Sequence, residues 1–166
     1  LETTISFDPE AGDFVVHSPK ESSAKTYIGN AAAHGHMAAV FGQLIVNATE
    51  HGVHCILVPI RDDAGSVHEG VTIGDNGHKG GLIGVDNGWI SFDHVRVGRD
   101  LLLDRFGSVN ADGQYESSIE NPNRRFFSML GALVRGRICI AGAPAMATRR
   151  AISIATLTAQ QRSQIR

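Results

Sequence analysis

Two apolar runs joined by a short polar link constrain this chain more than any other feature. AAVFGQLIV (38–46) and GVHCILVPI (52–60) hold too few polar residues to alternate, so each reads as a strand covered on both faces. The link NATEHG between them predicts a hairpin. A chain built around such a pair needs further strands or helices to bury it, and both are foreshadowed on either side.

Upstream, TTISFD and DFVVHS flank the turn PEAG, a second hairpin signal. Downstream, RDDAGSVHEGVTIGDNGHKGGLIGVDNG is rich in Gly and Asp, and only VTI within it is strand-like. In WISFDHVRV (89–97), Ile90 and Phe92 are out of phase with Val95 and Val97 by one residue. A bulge at Asp93-His94 brings all four to one face, and Asp86-Asn87-Gly88 before it is expected to supply the positive φ angles of a tight turn. After residue 107 the chain becomes polar, then turns helical at Asn121-Pro122, an N-cap residue followed by a residue suited to the first helical position. Phe126, Phe127, Leu130, Leu133, Val134 and Ile138 recur at helical spacing, and Pro144 is expected to kink or break a second helix. The expected class is α+β: a small antiparallel β-barrel or sandwich (1–107), a linker (108–121) and the start of an α-helical bundle domain (122–166), with more helix to cover its apolar faces.

The formal net charge of −2 gives no basic patch for nucleic acid, and no apolar run approaches the ~18 residues of a membrane span. LETTISFD lacks the basic and apolar regions of a signal peptide. Cys55 and Cys139 sit in apolar contexts and are expected to be buried, reduced thiols. His34, His36, His51 and His54 fit no zinc spacing, so no metal site is expected.

KTYIGN (25–30) is where function enters. A strand carrying Tyr27 and Ile28 runs into Gly29 and Asn30. Taken alone, Gly29 is either a turn residue or a place where a ligand or a second backbone comes close. K-T-Y-I-G-N resembles the K-x-W-I-T-N segment in the middle domain of acyl-CoA dehydrogenases. GLIGVDNGWISFDHVRV resembles the form of the next motif found in acyl-CoA oxidases, with a D-N-G turn before F-x-x-V-x-V. NPNRRFFSMLGALVRGR looks like the oxidases' entry into their helical domain, and Ala159, Arg162 and Ile165 match the A-x-x-R-x-x-[FI] helix end of both branches. The matches keep the family order from residue 1 to the end. Gly98 replaces a usual Pro, and Thr158 and Ile165 replace aromatics.

The resemblance implies the middle β-domain and first C-terminal helices of an FAD-dependent acyl-CoA oxidase, a dimer that converts acyl-CoA to trans-2-enoyl-CoA and passes electrons to O₂. It places Tyr27, Ile28, Gly29 and Asn30 at the flavin, Arg137 near the CoA-bearing substrate, and Arg162, Ser163 and Gln164 at FAD in the partner subunit. The catalytic carboxylate is expected beyond Arg166; nothing nominates Glu116 or Glu120. Dehydrogenases of the family carry Thr or Ser at the position of Gly29, with a hydroxyl reaching flavin N5, whereas oxidases tend to carry Gly. Alternatives at this stage are a dehydrogenase serving a carrier flavoprotein and a non-catalytic paralogue or fragment. A prokaryotic source implies the cytoplasm and a eukaryotic one the peroxisome. The isolated chain is expected neither to hold FAD tightly nor to turn over.

Overall fold

A computed structural model of the chain describes residues 1–162. Its elements are β1 (Thr4–Asp8), β2 (Asp13–His17), β3 (Lys25–Gly29), β4 (Met37–Val46), β5 (Thr49–Pro59), β6 (Val71–Asp75), β7 (Asn87–Phe92), β8 (Val95–Gly98), β9 (Ser108–Val109), β10 (Tyr115–Glu116) and α1 (Pro122–Gln161). The chain divides into two compact units, Leu1–Phe126 and a second from Phe127 onward. The α+β class holds. The strands form open sheets of order β5-β4-β1-β2-β8 and β3-β7-β6, with a short β10-β9 ribbon, and no closed barrel occurs among the described residues.

The expectation of an all-antiparallel sheet needs correction, because β1 and β4 run parallel. The chain leaves the first sheet after β2, forms β3 in the second, and returns beside β1; that crossover dictates a parallel pair. The two inner faces share one core, with Ile5, Phe14, Val16, Leu44, Ile56 and Val58 from the first sheet meeting Val71, Ile90 and Phe92 from the second. Phe7 meets Phe14 edge-on with ring centroids 5.3 Å apart.

β4 and β5 pair as a hairpin, but β4 is covered on one face only. Val40, Leu44 and Val46 are buried, while Ala39 is exposed and Phe41 and Ile45 are half-buried. The outer face is apolar without being covered in this unit, which is why residue type alone suggested a strand buried on both sides. The polar link is mostly strand: only Asn47 and Ala48, with φ of 51° and 59°, make the reversal, and Thr49 to Gly52 already belong to β5. Two consecutive positive φ angles match the twist of a tight hairpin.

Ile90, Phe92, Val95 and Val97 are all buried, as the phase argument requires. The irregularity at Asp93-His94 is a corner between sheets: β7 pairs with β3 and β6, then the chain turns through His94 (φ 51°) and β8 pairs with β2. Asp86-Asn87-Gly88 differs from expectation. None of the three has a positive φ, and Asn87 and Gly88 are the first residues of β7. Residues 108–121 carry the β9-β10 hairpin, with Val109 buried and Tyr115 packed on the core.

Asn121 caps α1: its side-chain oxygen accepts the Arg124 N–H at 3.0 Å, and Pro122 opens the helix. Of the two outcomes expected at Pro144, a break does not occur: α1 runs through it to Gln161. Proline removes one backbone hydrogen bond, and the residue whose carbonyl loses it, Ile140, is exposed to water that can replace the donor. No single helix is long and apolar enough to cross a membrane; the two parts of α1, Pro122–Gly131 and Leu133–Gln161, reach that length and composition only together, across a bend. Cys55 is buried, but Cys139 lies exposed on α1, correcting its expected burial; both are free thiols.

Candidate functional site

The end of β3 is the candidate site. Lys25 pairs with Ile90 and Ile28 with Gly88, and the register shifts between them. The shift forces Tyr27 to a φ of 57°, and its side chain stands 70% exposed. A non-glycine residue rarely adopts that backbone, and an exposed aromatic ring is available to a ligand; together they make Tyr27 a candidate functional position. Gly29 is not a turn glycine: it pairs with Asn87, has no positive φ, and a Cβ built on it would meet nothing within 4 Å. Its missing side chain leaves open space at the strand end. Asn30 follows at φ 61°, with its N–H bonded to the Asp86 carbonyl at 2.9 Å.

Two open clefts flank β3. One, of about 500 Å³, is lined by Glu2, Lys25, Thr26, Ile28 and Phe41 among others; the second, of about 460 Å³, by Ser18, Lys20, Thr26 and Trp89. Burial lowers the Lys25 ammonium below its ordinary value. Trp89 lies flat across β6, where a Cβ on Gly74 would fall 2.3 Å from its indole.

The small-residue run after Asn30 is a turn held by two charged residues that the sequence did not single out. Arg61, 7% exposed, donates to the carbonyls of Ala31 (2.8 Å), Ala32 (2.9 Å) and Gly35 (2.9 Å). The Asp86 carboxylate accepts the N–H groups of Ala32 (3.0 Å), Ala33 (3.2 Å) and His34 (3.0 Å), and the His34 ring at 2.8 Å. Burial works against ionisation of Asp86, but the His34 and backbone hydrogen bonds outweigh it and hold the carboxyl below the usual range. Gly88 is glycine because the turn crosses it: a Cβ there would lie 2.7 Å from Ala32 N. The only sequence signal for Arg61 is a lone cation at the end of a buried strand.

A second polar cluster lies under β9 and β10. Buried His54 places Nε2 3.0 Å from the Tyr115 hydroxyl and Nδ1 3.1 Å from the Gly52 carbonyl. Burial lowers its pKa to about 4, with the Gly52 bond opposing and the charges of Arg125 and His51 adding to the drop. Arg125, buried in the first turn of α1, donates to the His51 and Ile119 carbonyls and lies 5.3 Å from the Tyr115 ring centre.

The remaining sequence candidates belong to other elements or lie outside the described residues. Arg137 is exposed on α1, in the second unit. Arg162 is exposed, with its N–H bonded to the Thr158 carbonyl at 3.0 Å; Ser163 and Gln164 lie outside the described residues. Glu116 accepts a hydrogen bond from Asn110 at 2.7 Å in the β9-β10 hairpin. Outside the four histidines weighed from the sequence, His17, Asp93 and His94 bring ligand atoms within 4.8 Å of one another. The His17 and His94 rings, however, are stacked 3.8 Å apart at 23°, so their in-plane lone pairs run side by side instead of converging on one ion.

No protein-family model matches the chain. Known proteins do. Peroxisomal acyl-coenzyme A oxidase 3 of Arabidopsis thaliana is 43% identical over 155 residues, covering 93% of this chain and 23% of that protein. The structure of A. thaliana acyl-CoA oxidase 1 superposes with a TM-score of 0.87 at 33% identity, covering 100% of this chain and 25% of that one. Caenorhabditis elegans acyl-CoA oxidase-1, complexed with FAD and ATP, matches with a TM-score of 0.68 at 36% identity over 70% of this chain and 18% of its own. The two-sheet β unit is thus shared with acyl-CoA oxidase structures, one of them complexed with FAD. The chain belongs to the acyl-CoA oxidase family. It spans about a quarter of the length of the relatives it matches.

Proposed function

We propose that this chain is the flavin-facing β unit and adjoining helix of an FAD-dependent acyl-CoA oxidase. The whole enzyme converts an acyl-CoA to the trans-2-enoyl-CoA while O₂ is reduced to H₂O₂. The observation that carries this reading is the β3 end: Tyr27 exposed at φ 57° next to Gly29, whose missing Cβ faces open space. Those residues fit a planar aromatic cofactor, since a ring can pack on Tyr27 and come close to the backbone at Gly29.

In this reading Tyr27, Ile28, Gly29 and Asn30 hold the isoalloxazine, and bound FAD supplies the hydride-accepting chemistry. The chain's own task is positioning. The β3-β7 pairing fixes the height of Gly29, the turn after Asn30 fixes its direction, and the half-buried Lys25 and the exposed Thr26 shape the flanking clefts. Arg137 is the proposed contact to the phosphates of CoA, for which a guanidinium offers paired donors. Arg162, Ser163 and Gln164 are proposed to reach FAD in the second subunit of a homodimer. The proposed division is β unit 1–107, connecting segment 108–121 and helical domain from 122. Relatives named peroxisomal support that compartment for a eukaryotic source, and a prokaryotic source would place the enzyme in the cytoplasm.

The test is the full-length protein with FAD and a saturated acyl-CoA in air. One H₂O₂ per enoyl-CoA is expected; enoyl-CoA formed only when a carrier flavoprotein is added, with no H₂O₂, overturns the oxidase assignment.

A further inference from the structure

We infer that Arg61 and Asp86 are positioning residues for the flavin edge, acting as a two-ended charge clamp on the turn at residues 30–35. The inference rests on the proposed flavin site at Tyr27 to Asn30 and assigns it the device that sets its geometry.

The turn is one loop of helix-like chain, closed by the Gly35 N–H bonding the Asn30 carbonyl at 2.6 Å. Its free N–H groups, at Ala32, Ala33 and His34, all point to the Asp86 carboxylate. Its free carbonyls, at Ala31, Ala32 and Gly35, all point to the Arg61 guanidinium. A negative group at the amide end and a positive group at the carbonyl end is the arrangement that the dipole of a helical turn favours. Each charge therefore serves the turn, and neither contacts the other in the described hydrogen bonds. Asp86 also holds Asn30 directly, through its backbone carbonyl.

The clamp has an object because the turn has few anchors of its own. Three consecutive alanines bring no side-chain anchors, and only Ala31 among them is buried. Apart from backbone bonds at Asn30, Ala31 and Gly35, the two charges are what tie that segment to its surroundings. Arg61 follows β5 and Asp86 precedes β7, so the clamp ties the strand end to both sheets. It also explains the shape of Gly88, over which the turn passes with no room for a Cβ. A flavin edge placed by Gly29 and Asn30 is then placed by Arg61 and Asp86 at one remove.

The test uses the full-length enzyme and four variants: Arg61→Gln, Arg61→Lys, Asp86→Asn and Gly88→Ala. Flavin affinity, the flavin absorbance spectrum and the split between kcat and KM are measured, with thermal unfolding alongside. Arg61→Gln and Asp86→Asn are expected to weaken FAD binding tenfold or more, shift the flavin spectrum, and lower kcat more than they raise KM. Arg61→Lys, which keeps the charge and some donors, is expected to restore part of the affinity. Gly88→Ala leaves both charges in place, pushes on the turn at Ala32 and on the Gly74 carbonyl of β6, and is expected to reproduce the spectral shift. Folded variants with wild-type flavin spectrum, affinity and kcat overturn the clamp, whatever their unfolding temperature. Should one charge variant fail to fold, Gly88→Ala and Arg61→Lys decide by the same readouts. A wild-type enzyme that holds no FAD instead sinks the flavin site on which the clamp depends, so the two failures are distinguishable.

Discussion

At the scale of single residues, Gly29 and His54 make opposite use of their surroundings. Gly29 borders empty space, so a larger side chain fits there without moving its neighbours. Replacing it by Thr in the full-length enzyme is expected to slow reoxidation by O₂ more than reduction by acyl-CoA, measured by stopped-flow in each half-reaction. Equal slowing of both would show that the glycine has no bearing on oxygen. His54 is buried and held neutral, with its pKa lowered from 6.5 to about 4 by burial. The unfolded chain therefore binds a proton between those values that the folded one refuses, and stability falls as pH drops below 6.5. Between pH 7.5 and 5 the loss is about 2 kcal/mol, most of it below pH 6.5. His51, also lowered by burial first and by the Arg125 charge, adds in the same direction. Urea unfolding at pH 7.5, 6.5 and 5 reads it, and a flat profile would contradict the burial of His54. Asp86 works at lower pH: with a depressed folded value, its contribution is full above 3.8 and disappears as pH falls through that folded value.

At the scale of elements, what could be read in the sequence was set by local chemistry. The Asn121 cap, the hairpins around Pro9-Gly12 and Asn47-Ala48, and the phase slip at Asp93-His94 are local signals, and each appears in the structure. The parallel β1-β4 pair was not legible, because strand partners depend on which sheet a strand joins and not on its own residues. Nor was the one-sided burial of β4, whose outer face carries Ala39, Phe41 and Ile45. At the candidate site, Tyr27 and Gly29 were singled out through their family resemblance, whereas Arg61 and Asp86 were not: their partners are backbone atoms up to 54 residues away, which no residue type advertises. Asp86 was visible only as part of a turn signal and serves as an anchor instead. The Asn121 cap gives a direct test of element-scale reasoning. Asn121→Ala is expected to cost ~1 kcal/mol and lower the unfolding midpoint of the first unit, since one orphaned helix N–H loses its acceptor. No change in midpoint would mean that Arg125, bonded to the His51 and Ile119 carbonyls, anchors the helix start by itself.

At the scale of the whole molecule, the two units offer different surfaces. The first closes a core between two sheets and leaves the β3 end with its clefts open. In the second, Leu133, Val134, Ile138, Ile140, Ile152 and Ile154 are exposed along α1, an apolar surface that the described residues of that unit leave open. Both surfaces suit the proposed reading of this chain as part of a larger acyl-CoA oxidase, since it spans about a quarter of the relatives it matches. The account's central claim is that the β3 end faces a flavin that O₂ can reach. It is tested most directly by reducing the full-length protein with acyl-CoA under anaerobic conditions, then mixing it with air-saturated buffer. The account predicts rapid return of the oxidised flavin spectrum with stoichiometric H₂O₂ and no added carrier. A flavin that stays reduced in air, and is reoxidised only by a carrier flavoprotein, would contradict it.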